Sequence, residues 1–103
     1  MAQYDIFANP SRAARTTYPF VIALQSNVST GNRTIIVAPI APRHKANIDD
    51  RAMIPVDIDG APHTINLYAI AAIPSANLSG PVAAAPDIRE RMPRALDYIF
   101  LGL

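Results

Sequence analysis

The chain contains no cysteine and no tryptophan. Without a thiol it can hold no disulfide framework, no cysteine nucleophile and no cysteine-based zinc site, which fits a reducing compartment. Glycine is scarce, four in 103 residues, and no glycine-rich phosphate loop or nucleophile elbow can be assembled from it. Neither sign of charge dominates: nine Lys+Arg stand against eight Asp+Glu, for a net +1. That excludes the broad basic surface on which non-specific phosphate binding depends. No run approaches the ~20 apolar residues that cross a bilayer. The opening Met1-Ala2-Gln3-Tyr4-Asp5 lacks the basic start and apolar stretch of a signal peptide. The expectation is a soluble cytoplasmic protein with no membrane partner. Aromatics are few, four Tyr and three Phe.

Small and rigid residues fill the space instead. Eighteen residues are alanine and ten are proline, and half the chain is hydrophobic, too much for a disordered tail. The length fits one domain with one modest core, and no repeat or linker divides residues 1–103. Each proline removes a backbone donor and fixes φ, so long helices and central strands must fall between them. The longest proline-free stretch is 20–38, which favours short strands over a helical bundle.

Residues 4–7 read as a short strand and 9–12 as a turn. Phe20-Val21-Ile22-Ala23-Leu24 is a continuous apolar run, expected as a strand buried on both faces. Thr34-Ile35-Ile36-Val37 is β-branched throughout and reads as the next strand, and the polar stretch 42–51 as a solvent-exposed connection. Ile54, Val56 and Ile58 alternate with Pro55, Asp57 and Asp59, a strand with one wet face. Asp59-Gly60 then signals a tight hairpin, because Gly tolerates positive φ. The return strand is expected over 63–73, with Ile65, Leu67, Ala69, Ala71 and Ile73 on one face, and 75–86 as loop. Pro55 limits pairing of the outgoing strand to one side.

At the C-terminus the period changes. Ile88, Met92, Leu96 and Phe100 fall four apart, flanked by Ala95, Ile99 and Leu103, as on one face of an amphipathic helix. Asp87 with Glu90 forms a candidate capping box. Pro93 either kinks this helix or starts it, leaving the preceding turn separate. Gly102 is the expected stop. About five short strands and one C-terminal helix make a small mostly β or α+β domain.

Chemistry-bearing clusters are sparse. His44 and His63 share no ligand spacing, and metal sites need three or four ligands; both read as solvated surface histidines. Asp57 and Asp59, like Asp49-Asp50 beside Arg51, are accounted for by solvation and local ion pairing. No catalytic residue, metal or cofactor is expected. Residues 1–45 carry net +4 and residues 46–103 net −3. A basic face built from the first half could contact RNA or an acidic peptide, though scattered solvated charge is the simpler account.

The sharpest feature is the end, Tyr98-Ile99-Phe100-Leu101-Gly102-Leu103. Chain ends fray and are polar unless tied down. Residues 98–101 cover a full helical turn, so one packing face cannot hide them all. The apolar remainder points to a partner or to self-association.

An ordered set of short segments resembles the CcdB family, the toxins of ccd toxin–antitoxin modules. These are Gln3-Tyr4-Asp5-Ile6-Phe7, the basic loop 9–15, Gln25-Ser26-Asn27, Gly31 with Arg33, and Ile36-Val37-Ala38-Pro39-Ile40. Pro55-Val56-Asp57-Ile58-Asp59-Gly60, Ala72-Ile73-Pro74 and Ile99-Phe100-Leu101-Gly102-Leu103 complete the set. The resemblance implies a small SH3-like barrel of antiparallel strands with a C-terminal helix, and a homodimer. It implies a non-enzymatic protein that binds the DNA gyrase A subunit and traps its cleaved-DNA intermediate. A CcdA-like antitoxin would neutralise it through a disordered tail that folds on binding, and no direct sequence-specific nucleic-acid binding is implied. By position, the gyrase-facing residues are Asp97, Phe100, Leu101, Gly102 and Leu103, with Val28. The family's tryptophan is Leu101 here and its helix asparagine is Asp97. A Trp face can stack on an arginine through cation–π attraction worth ~0.5–2 kcal/mol, which Leu cannot do. Two alternatives remain at this level. One is an endoribonuclease of the MazF/Kid type, with Arg12 or Arg15 and a Thr as its catalytic groups, though the Gly-Asp-aliphatic opening typical of that family is absent. The other is a CcdB-like protein that binds antitoxin without poisoning gyrase.

Overall fold

The computed structural model describes residues 2–26, 34–43 and 51–102. Seven strands and one helix follow in order: β1 (Asp5–Ala8), β2 (Phe20–Ala23), β3 (Thr34–Pro42), β4 (Met53–Ile58), β5 (Ala61–Asn66), β6 (Ala71–Pro74), β7 (Ala83–Ala84) and α1 (Met92–Leu101). All pairings are antiparallel, in the order β4-β5-β3-β2-β1-β7, with β6 on β3. The sheet curls into a half-barrel closed by the C-terminal helix, as in SH3-like barrels.

Strand alternation sorts the apolar residues onto two faces. Ile6 lies opposite Ile22, and Phe7 opposite Val21. Ile6, Ile22, Ala38 and Ile40 enter the larger core with Ile88, Met92 and Ala95; Phe7, Val21, Ala23, Ile35 and Val37 form a smaller one on the opposite face. Directly paired residues share a face, so the continuous apolar run of β2 is buried on both sides, as expected. The larger core fixes the helix: Ile88 and Met92 are at most 2 % exposed. Burying each such side chain contributes roughly 1.5–3 kcal/mol.

The Asp59-Gly60 turn has φ of 52° and 77°. Positive φ at both central residues is the type I′ geometry whose twist matches the flanking strands. Ile54, Val56 and Ile58 face the larger core while Asp57 is exposed, so the alternation of β4 is also as expected.

The return strand departs from expectation. Ile40 pairs with Ile65 and Val37 with Ala71, so three residues of β3 are matched by six of the returning chain. The extra three residues form a 3₁₀ turn, Leu67–Ala69, capped by the Asn66 side chain, which accepts from the Tyr68 N–H. An odd insertion reverses the alternation that a strand obeys. Ile65 and Leu67 therefore enter the larger core, whereas Ile73 packs on the smaller one and Ala69 and Ala71 are exposed. The loop expected at 75–86 likewise contains a 3₁₀ turn (Ser75–Asn77) and β7. The first strand begins one residue late, because Tyr4 adopts φ 70°. Its ring is buried, its N–H donates to Ala23 O at 2.7 Å, and the Arg89 guanidinium lies 5.8 Å from the ring centre. These contacts offset the left-handed backbone, which costs a non-glycine residue about 1–2 kcal/mol.

The helix starts later than the apolar period implied. Asp87 belongs to a separate 3₁₀ turn, Pro86–Arg89, and caps nothing in α1; the N-cap is Arg91, with no side-chain cap. Pro93 lies in the first turn, where its missing N–H would have had no intrahelical partner in any case. Pro93 thus helps to start the helix and does not kink it.

Candidate functional site

The last turns of α1 divide into an anchored side and a free side. Ala95 is buried, and Leu96, Tyr98 and Ile99 pack partly against the larger core. Tyr98 is held from outside as well, with the Arg51 guanidinium 5.6 Å from its ring centre. Asp97, Phe100 and Leu101 sit at positions i, i+3 and i+4, which share one helix face, and that face points outward. Phe100 is 69 % and Leu101 64 % exposed. One packing face fails to hide the turn, as the helical geometry requires. Gly102 ends the helix in the left-handed conformation (φ 72°), its N–H donating to Tyr98 O at 3.1 Å. A Cβ there would meet nothing within 4 Å, so the constraint at Gly102 is backbone conformation alone. Of the site residues implied by position, Asp97, Phe100, Leu101 and Gly102 are brought together. Val28 and Leu103 lie outside the described residues, as does His44.

Beside this face runs a groove that sequence reasoning missed. About 540 Å³ of space separates β4 from α1, lined by Arg51, Met53 and Pro55 on one wall and by Arg91, Arg94 and Asp97 on the other. Arg94, Asp97 and Leu101 form one helical stripe (i, i+3, i+7), so the groove leads to the exposed end. Its arginines come from the half of the chain whose formal charge is −3. Only the i, i+3 spacing of Arg91 and Arg94 hinted at it; nothing in the chain order announces Arg51 opposite them.

The basic loop of the first half is an organised structure. The Asn9 side chain is buried, accepts from the Ser11 N–H, and donates to Tyr18 O at 2.8 Å. Arg15 Nε donates to Asn9 O, and Asn66 Nδ2 donates to the Tyr18 hydroxyl. Arg15 therefore holds backbone together, while Arg12 is exposed. His63, expected on the surface, is buried: it faces inward from β5, edge-on to Phe20 with centroids 5.5 Å apart, and its Nδ1 meets Ala61 O at 2.9 Å. The core-facing register of β4 and β5, with His63 opposite Val56, carries it inside. Among the described residues no helix is long and apolar enough to cross a membrane.

A curled antiparallel half-barrel with one C-terminal helix, whose end projects an apolar face, defines a small barrel protein of the SH3-like class. Residues 3–102 match the family described as CcdB protein. The chain belongs to the CcdB family, the toxins of ccd toxin–antitoxin modules. No curated protein matches it.

Proposed function

We propose that this protein, acting as one domain over residues 1–103, is a toxin that binds the DNA gyrase A subunit and traps the cleaved gyrase–DNA complex. It works in the cytoplasm as a homodimer, by binding and without catalysis, and a CcdA-like antitoxin neutralises it. The contact residues are Asp97, Phe100, Leu101 and Gly102, with Leu103 and Val28 added on the family resemblance alone. The observation that carries this reading is the exposure of Phe100 and Leu101 on a helix whose other side is anchored in the core. Large apolar side chains held rigidly at a surface are suited to a partner's pocket.

A second reading has its own support. Leu101 replaces the aromatic residue of the family and Asp97 replaces an amide with a charge, which favours a protein that keeps its antitoxin but has lost gyrase poisoning. One experiment separates the two: a gyrase–DNA cleavage assay comparing the natural protein with Leu101→Trp. Cleavage complexes trapped by the natural protein establish the first reading. Trapping that appears only with the substitution establishes the second. If both folded forms are inert, gyrase is the wrong target.

A further inference from the structure

We propose that the groove between β4 and α1 is a docking site for a short acidic segment, in which carboxylates flank an apolar side chain. The segment belongs to the antitoxin, so the inference rests on the toxin–antitoxin reading above.

Three features select this occupant. The first is charge: Arg51 stands on one wall and Arg91 and Arg94 on the other, with Asp97 the single acid lining the space. All three arginines are exposed, and a guanidinium is the side chain best shaped to meet a carboxylate in a forked pair. The second is the lining between the charges, where Met53, Pro55 and Ala95 supply apolar surface. A leucine-sized group between two acids would cover it. Along the groove and its extension a nucleic-acid backbone would find four arginines, Arg43, Arg51, Arg91 and Arg94, interrupted by Asp57, Asp87 and Asp97, a poor match for a continuous row of phosphates.

The third feature is the edge of β4. This strand pairs only with β5 among the described residues. Leu67 N–H donates to Ala52 O at 2.9 Å. By antiparallel alternation, Ile54, Val56 and Ile58 also direct their backbone groups toward β5, while Met53, Pro55 and Asp57 direct theirs to the open edge. Pro55 has no N–H to offer there, so strand addition along β4 is interrupted at its middle. Recognition must come from side chains, which the arginines provide. A second recess sharing Pro55 and Arg91 continues past Arg43 toward β7; its Asp57 and Asp87 confine the carboxylates of the segment to the stretch between Arg51, Arg91 and Arg94.

The test uses the whole protein and a labelled synthetic peptide of repeated Glu-Leu-Glu triplets, against a control with Lys for Glu. Fluorescence anisotropy gives affinity, and amide chemical-shift mapping on the natural protein gives location. The expected result is binding by the Glu peptide alone, weakened by salt up to about 0.3 M, with shifts concentrated at 51–55 and 91–97. The double variant Arg91→Glu/Arg94→Glu should weaken binding by about tenfold or more at unchanged thermal midpoint, while Arg12→Glu should not. Equal binding of the Lys peptide, shifts elsewhere, or an unaffected double variant would overturn the proposal. Tighter binding of duplex DNA with the same shifts would also overturn it, reassigning the groove to phosphate. If the double variant unfolds, the shift map on the natural protein and Arg94→Gln decide. Gyrase cleavage is scored separately, so a failure of the groove and a failure of the gyrase reading are told apart.

Discussion

Replacing Phe100 and Leu101 together by alanine separates folding from function. A fully buried Phe or Leu side chain contributes roughly 1.5–3 kcal/mol. Phe100 is 69 % and Leu101 64 % exposed, so about a third of that is realised in the free protein, roughly 0.5–1 kcal/mol each. Alanine also has higher helix propensity than Phe, which returns a few tenths of a kcal/mol. The net loss is then about 1–1.5 kcal/mol, or a thermal midpoint lower by roughly 4–12 °C for a domain of this size. The surface left uncovered is what a partner would bury, worth roughly 1–2 kcal/mol for each residue. Together that is about 2–4 kcal/mol, a 30- to 800-fold loss of affinity. Circular dichroism melting and a gyrase cleavage titration measure the two quantities on one preparation. The outcome that would falsify the argument is a folded double variant that traps gyrase as well as the natural protein. A midpoint lowered by more than about 20 °C would show instead that this turn belongs to the core.

Two further predictions concern the scaffold. Met92→Ala empties the floor of the larger core, where Met92 is 0 % exposed, and should cost about 2–5 kcal/mol, read as a lower urea midpoint at unchanged slope. Asn9→Ala removes the amide that closes the loop on Tyr18 O and receives Ser11 N–H. Because the side chain is buried, the loss should be about 1–3 kcal/mol, and amide exchange should quicken over 10–18 before it does in the strands.

Elements controlled by neighbours in the chain were legible. The Asp59-Gly60 turn, the apolar run of β2, the alternation of β4 and the Gly102 stop each rest on backbone sterics or on one strand's pattern, which act within a few residues. The helix was legible in its period but not in its start. Ile88 continues the apolar stripe in register, yet it stands in a separate 3₁₀ turn. A pattern of burial does not distinguish a helix from a turn that buries the same face.

What the sequence determined by itself was the β-rich class with one C-terminal helix, the Asp59-Gly60 turn and the surplus of apolar surface in the last turn; the prolines did not bound the strands, since β3 runs from Thr34 to Pro42 through Pro39. These follow from φ restriction, side-chain periodicity and the geometry of one helical turn, none of which needs a distant residue. What only the tertiary structure decided was register and juxtaposition. The three-residue excursion after β5 is visible only against β3, and its odd length is what sends Ile65 and Ile73 to opposite faces. His63 is buried because the core-facing register of β4 and β5 turns it inward beside Phe20. Arg51 lines the same groove as Arg91 and Arg94 because the helix lies across from β4. Those juxtapositions join residues 25 to 43 positions apart, and chain closure over that distance is set by the packed core.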